Sequence, residues 1–390
     1  MSAPLNGQAL VAPDRLPGVT DVFDSSTEHD PLGCTVDPVR PFLDFRFRFE
    51  AGYIVRCPVR IFGGKEQKVA ALIRVTPEGR PPATLSSLYR VPGLPASIQD
   101  KTDLRRVKAE IETSGGFAIG EGRYGIELAL LNDGGRLYRR NWKIEAFRKR
   151  AEQHTTVALP PETVSPFSKP SWKGPQAQFG RGLRLTVLLD AAPIDPYALK
   201  LRAWDTAFLL DSVSSLLNNL PCQSVRLIGF NLDQGKEVFR EEHFNSIGLE
   251  RLSDSLQSLE LGTISYRALQ NRNSWADLLT GVSNQEVNSP NPVDAVIFVG
   301  PANRIAARIP KEAFDAAKGN KPRFFYLEYF PSWTRGAEFP DAIDHVVAEE
   351  NGATFKIHAP GELAQAFQKL LGQLRPEGYE ANCCGSSSNK

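Results

Sequence analysis

Polar and apolar positions change their period once along this chain, and the change divides it. Over residues 42–50, Leu43, Phe45, Phe47 and Phe49 alternate with Asp44, Arg46, Arg48 and Glu50, the period-two pattern of a strand with one buried face. A second run sets Tyr53, Val55, Cys57, Val59 and Ile61 against Arg56, Pro58 and Arg60 and stops at Gly63-Gly64. Proline cannot donate to a strand ladder, so Pro58 places this run at a sheet edge. Further strands are predicted over 69–75, 107–111, 117–119, 124–131 and 136–144, the last two joined by Asn132-Asp133-Gly134-Gly135, a hairpin signal. Short strands separated by turns, without a helical period, predict a β-sandwich over 34–146.

Beyond residue 183 the pattern differs. RLTVLLDAAPID, residues 184–195, is apolar on both faces and ends in a lone aspartate, Asp190. That reads as a central strand of a parallel sheet with Asp190 at its carboxyl end, the edge where open α/β sheets bind ligands. A helix follows over 197–220, with Leu201, Trp204, Phe208, Leu209, Val213, Leu216 and Leu217 at helical spacing and Pro221 as its stop. Strands are then predicted at 225–230, 237–240, 262–269, 295–299, 324–330 and 354–357. Helices are predicted from Ser246, from Ser274, briefly over 311–317, over 341–350 and over 361–374. The alternation predicts a doubly wound α/β domain over 183–375. Residues 1–33 read as an irregular leader and 376–390 as a flexible tail. Residues 147–182, with prolines at 160, 161, 166, 170 and 175, read as a linker in which Phe167 and Trp172 are the candidates for docking.

Composition narrows the function. The 390 residues carry 46 Lys plus Arg against 45 Asp plus Glu, so no global field recruits nucleic acid or an anionic membrane. No run approaches the roughly 20 apolar residues of a membrane-spanning helix, and the amino terminus, MSAPLNGQALVAPDRLPG, does not read as a signal peptide. The five cysteines, at 34, 57, 222, 383 and 384, include no CxxC pair, which argues against a zinc site. A Cys34–Cys57 bridge and two separate thiols are both open readings. The five histidines have no metal spacing and accompany no GxSxG elbow. GGFAIGEG, residues 115–122, lacks the Lys-Ser/Thr of a phosphate loop and reads as turn glycines. The basic cluster from Arg136 to Arg150 reads as a solvated strand face.

The run GRYGIELALLNDGGRLYRRNW, residues 122–142, resembles the final hairpin of immunoglobulin-like domains. The element order over about 183–375 resembles the von Willebrand factor type A domain, more narrowly its divergent bacterial copies preceded by an immunoglobulin-like or other β domain. The resemblance implies a metal-ion-dependent adhesion site made from Asp-x-Ser-x-Ser, a threonine and a later aspartate around a divalent cation. Asp190 matches the first position, but Ala192 and Ile194 stand where the serines belong, and the strand at 296–299 runs into Gly300-Pro301 where the family carries an acid. Thr263, after Gly262, is the one other match. No metal and no cofactor are therefore expected, and millimolar Mg²⁺ or Mn²⁺ should leave the melting temperature unchanged.

The sequence thus leads to a non-enzymatic protein-binding or adhesion-type protein using the carboxyl edge, with Asp190, Tyr197, Asn273, Asn303 and Arg304 as contacts and a protein as partner. Its alternatives are an enzyme of unidentified activity and a metal-dependent adhesion domain with non-standard ligands. Neither nucleic acid nor membrane insertion is expected. Family resemblance implies a periplasmic or extracellular location, and the absence of a recognisable signal keeps a cytoplasmic one open.

Overall fold

A computed structural model describes residues 8–12, 15–24, 32–93, 108–175, 182–195, 198–261, 271, 273–315, 321–330 and 339–374. Its contacts divide the chain into two units, Met1–Lys169 and Pro170–Lys390.

The first unit is built from β1 (Ala9–Leu10), α1 (Leu16–Asp24), β2 (Thr35–Leu43), β3 (Phe49–Pro58), β4 (Gln67–Pro77), β5 (Ala83–Val91), β6 (Glu110–Ile119), β7 (Gly122–Asn132), β8 (Leu137–Ala146) and β9 (Val164–Pro166). These strands form two antiparallel sheets, ordered β1-β5-β4-β7-β8 and β2-β3-β6-β9. Val36, Phe49, Tyr53, Val55 and Phe117 from one sheet pack with Ile73, Val75, Leu85, Ile126 and Leu128 from the other in one core. Burial of each such side chain contributes roughly 1.5–3 kcal/mol. A disulfide joins Cys34 to Cys57 at the margin of that core.

Several local expectations change here. The alternating run at 42–50 is not one strand: its ends belong to β2 and β3, and residues 44–48 connect them. Asp44 Oδ1 accepts the backbone amides of Arg46 and Arg48 at 2.9 and 2.7 Å, and Phe47 takes a positive φ of 59°. A short acid that satisfies nearby amides competes with the strand ladder and turns the chain. Pro58 does not mark an edge strand, because β3 lies between β2 and β6; it is the last residue of β3. The strands expected at 107–111 and 117–119 are one element, β6, and Gly115-Gly116 lie within it rather than in a turn. There the two backbones approach closely: a Cβ on Gly52 of β3 would lie 2.4 Å from the carbonyl oxygen of Gly115. Within the expected leader, residues 16–24 form α1. Within the expected linker, β9 pairs with Phe117–Ile119 of β6, and Trp172 is buried against Phe244, the rings stacked at 5.9 Å.

The second unit runs β10 (Leu183–Asp190), α2 (Ala203–Asn219), β11 (Cys222–Asn231), β12 (Lys236–Glu241), α3 (Gly248–Gln257), α4 (Ser274–Val287), β13 (Ala295–Pro301), β14 (Arg323–Tyr329), α5 (Ala342–Glu349), β15 (Ala353–Ile357) and α6 (Pro360–Leu374). Its six strands are ordered β12-β11-β10-β13-β14-β15. Only β11–β12 is antiparallel; the other four pairings are parallel. The central place of β10 accounts for its composition: all its residues but Arg184 are buried, so both faces must be apolar.

The expected fold class, an immunoglobulin-like sandwich joined to a doubly wound α/β domain, is corrected by this inventory. The described residues are 38% strand against 26% helix, arranged in three sheets, which makes the protein predominantly β. Between β13 and β14, the helical turn or two expected over 311–317 is, among the described residues, a 3-10 turn at Lys311–Ala313. Pro310 and Gly319 leave a window of eight residues there, below the roughly 12–15 that make helix nucleation worthwhile without a packed face.

Candidate functional site

The parallel strands of the six-stranded sheet deliver their following loops to one edge, and buried acids collect there. Asp190 ends β10 with no exposed surface, and neither carboxylate oxygen has a hydrogen-bond partner. Burial first, then the charges of Asp341 and Asp233, push its carboxyl well above the ordinary aspartate value; the nearby Leu232 amide offsets this only in part. Residues in register across parallel strands point to the same face. Leu189 pairs with Val299, which sets Asp190 beside Gly300, and Gly300 pairs with Glu328. Gly300 leaves a gap in this row: a Cβ at that position would lie 2.8 Å from Asp190 Cβ. Asp190 and the fully buried Glu328 thus face the same layer from either side of a residue without a side chain.

The amino end of α5 supplies the remaining acids. Asp341 caps the helix by accepting the Asp344 amide at 2.9 Å, and Asp344 accepts the Asp341 amide at 3.2 Å, a reciprocal cap that also suits the positive end of the helix dipole. Asp341 Oδ2 accepts the Asn303 amide at 3.0 Å, Asn303 Nδ2 at 2.6 Å and the Tyr326 hydroxyl at 3.2 Å. Burial raises the Asp341 carboxyl to about 6 against the opposing pull of those backbone donors. One oxygen each from Glu328, Asp341 and Asp344 lie within 4.8 Å of one another. Taking a carboxylate out of water costs several kcal/mol per charge before its partners offset it. A set of this kind can exchange protons or hold a hard cation.

Another buried acid on the same sheet shows what compensation looks like. Glu286 on α4 has no exposed surface and accepts Thr186 Oγ1 at 2.7 Å and Arg226 Nη1 at 2.7 Å. It is a paired structural carboxylate, and Asp190 has no such partner.

Of the residues singled out from the sequence, Asp190 lies in this site and Asn303 touches it. Asn303 is half-buried and holds Asp341, while its Oδ1 accepts the Ile305 amide at 2.9 Å, so it positions an acid rather than offering a free contact. Arg304 is exposed and reaches Asp233 at 3.9 Å. Asn273 is exposed ahead of α4. Tyr197 and Thr263 lie outside the described residues, as does the predicted strand at 262–269. The adhesion-site ligand set does not fit: Ala192 and Ile194 offer no side-chain oxygen, Gly300 occupies the acidic position, and the Ile194 amide is committed to Asp205 Oδ1 at 3.0 Å.

Sequence reasoning missed Glu328, Asp341 and Asp344 as site residues. The signal was present in RFFYLEY, where a lone acid closes an apolar strand as Asp190 closes its own. A glutamate in so apolar a strand is buried and needs a partner.

Side chains facing solvent around this edge are of a different kind. Leu199, 77% exposed, and Trp204, 39% exposed, follow β10, and Phe339, 46% exposed, precedes Asp341. The Arg202 guanidinium lies 5.6 Å from the centre of the Trp204 ring.

No family model matches the chain, and no curated protein does. Among solved structures, a Bordetella pertussis protein described as ApaA is similar over 31% of this chain and all of its own, at 12% identity and a TM-score of 0.20. A family 2 glycosyl hydrolase from Bacteroides cellulosilyticus is similar over 82% of this chain and 38% of its own, at 13% identity and a TM-score of 0.20. Bacteroides uniformis beta-glucuronidase 2 is similar over 89% of this chain and 39% of its own, at 10% identity and a TM-score of 0.19. The chain therefore spans about two fifths of the length of either hydrolase. Likeness this slight carries no argument about fold or activity.

Proposed function

We propose that this protein is a non-enzymatic binding protein that takes a protein partner at the carboxyl edge of its six-stranded sheet. The observation that carries the reading is the division of that edge into a sealed acidic interior and an exposed rim. Asp190 and Glu328 have no exposed surface, and a general acid or base must come within hydrogen-bond reach of its substrate. The rim instead presents Leu199, Trp204 and Phe339, with Arg202 and Arg304 among them in sequence. Exposed large apolar residues mark interaction surfaces, and tryptophan and arginine are the side chains most often found to dominate them. Pro193 and Pro301 stiffen the adjoining segments and reduce the entropy lost on docking. The Cys34–Cys57 disulfide supports an oxidising compartment, periplasmic or extracellular.

The competing surface is the arginine-bearing strand β8, where Arg139 and Arg140 are exposed. The test uses a partner captured from the native organism and identified, then measured against variants of the full chain. L199S and R304A should each weaken binding about tenfold, the loss of roughly 1.4 kcal/mol expected of a contact residue, while R139A/R140A stays near wild type. The reverse ranking would move the contact to β8 and overturn the proposal.

A further inference from the structure

We infer that β12, the outer strand of the six-stranded sheet, pairs with β12 of a second copy of this chain in a two-fold antiparallel contact. The inference does not depend on what docks at the carboxyl edge. Among the described residues β12 has one strand neighbour, β11, so its other side carries backbone amides and carbonyls to which a further strand can add. The strand borders a groove of about 390 Å³, lined by Lys236, Glu237 and Val238 and by Ser255 and Leu259.

The order of charges selects a second copy as the occupant. β12 reads Lys236-Glu237-Val238-Phe239-Arg240-Glu241. Laid antiparallel against itself about an axis between Val238 and Phe239, it sets Lys236 opposite Glu241 of the second copy, Glu237 opposite Arg240, and Val238 opposite Phe239. Opposite charges facing each other across strands attract and like charges repel. Every charge on this strand meets its opposite, and each contact occurs twice because a two-fold interface is isologous.

A bulge makes this register geometrically consistent. Residues that face each other in a two-fold pair lie on one face of the joined sheet, and side chains alternate faces along a regular strand. Lys236 and Glu241 are five positions apart and Glu237 and Arg240 three, so in a regular strand each couple would be split between the faces. In β12 the pairing with β11 shifts between Gly229 and Phe230 and passes over Val238. Lys236, Phe239 and Glu241 therefore match Asn231, Gly229 and Leu227, which share a face, while Glu237 and Arg240 match Phe230 and Ile228 on the other. The ion pair between Glu237 and Arg240, at 2.7 Å, agrees with their shared face. Charges and bulges ordinarily keep an edge strand from pairing; here the two together leave one self-complementary register.

The ionic state of the strand points the same way. Glu237 and Arg240 pair with each other and Glu241 pairs with Arg251, whereas Lys236 is exposed and has no ion-pair partner among the described residues. Exposed ion pairs contribute little, so Glu237 and Arg240 can exchange partners with a second copy at small cost. β12 runs against β11, and the second β12 runs against the first. The carboxyl edges of the two copies consequently lie at opposite ends of the joined sheet, so that one dimer can hold two partners apart.

The test is self-association of the full chain. A contact through one short strand is small, so sedimentation equilibrium from about 1 to 200 µM should show a dimer fraction that rises with concentration. K236E sets acid against acid and E241K sets base against base, and each should raise the dimer dissociation constant about tenfold or more. An equimolar mixture of the two variants restores both contacts, one chain supplying acids at both ends of the strand and the other bases. It should associate within about threefold of wild type. Should E241K, which also loses its bond to Arg251, fail to fold, K236E carries the readout beside K236R, which retains association. Wild type that stays monomeric throughout, K236E that associates as wild type does, or a mixture of two folded variants that stays monomeric would each overturn the pairing.

Discussion

Replacing Gly300 with alanine tests the arrangement of the buried acids without touching any of them. The added methyl would stand 2.8 Å from Asp190 Cβ and 3.3 Å from the Asp190 carbonyl oxygen. Carbon atoms pack best at about 3.5–4.0 Å, so β10 and β13 must separate locally by roughly 0.7 Å or more. The obstacle is a Cβ and backbone, not the free end of a flexible chain. Both strands are central to their sheet, and overpacking of this kind costs about 1–3 kcal/mol. An opposing effect favours the variant, since alanine loses less backbone entropy than glycine in a strand, by roughly 0.5–1 kcal/mol. The clash outweighs it, leaving a net destabilisation of about 0.5–2 kcal/mol. Urea unfolding of the full chain in EDTA, read as a shift in midpoint at constant slope, measures this directly. G300A of wild-type or higher stability would mean that Asp190 does not lean over Gly300, and the row of acids would lose its geometric basis.

Two further outcomes concern the first unit. The Cys34–Cys57 bridge spans 23 residues of sequence, and the chain-entropy model assigns such a ring on the order of 3 kcal/mol. C34A/C57A should lose about that much in urea unfolding, and a stability equal to the oxidised wild type would refute the assignment. Glu121 is held below the ordinary glutamate value by its bidentate hydrogen bonds to Arg148. A carboxyl lowered in the folded state adds stability that is present above its unfolded pKa and is lost as pH falls through the folded one. The difference in unfolding free energy between wild type and E121Q should therefore be constant near neutrality and shrink on acidification; growth of that difference in acid would contradict the sign.

The parts of this protein legible from sequence are those set by local pattern. The apolar run closed by Asp190 is β10 as expected, and Asn132-Asp133-Gly134-Gly135 joins β7 to β8. Where a side chain satisfies the backbone, pattern misleads: Asp44 turns a run that alternates perfectly. β2 escapes the pattern because Pro38 and Pro41 interrupt it. β5 is absent from the expected strands although Leu85, Ser87, Tyr89 and Val91 are all buried. The acidic site was legible only at Asp190. Its other members depend on the registers of β10 with β13, which joins Leu189 to Val299, and of β13 with β14, which joins Gly300 to Glu328, and no local period carries that information. The overall balance of strand over helix follows likewise from connections that periodicity does not report.

The disulfide has a consequence for how this protein is handled. Cys34 immediately precedes β2 and Cys57 lies one residue from the end of β3, while the turn anchored by Asp44 joins the two strands at their other ends. The hairpin is thus a covalent ring. A protease that cuts once between these cysteines opens the ring but releases no fragment. On a non-reducing gel the nicked chain migrates as one species near full length, and only a reductant reveals two. Intact mass under oxidising conditions therefore does not report backbone integrity in this segment, and preparations should be compared with and without reductant.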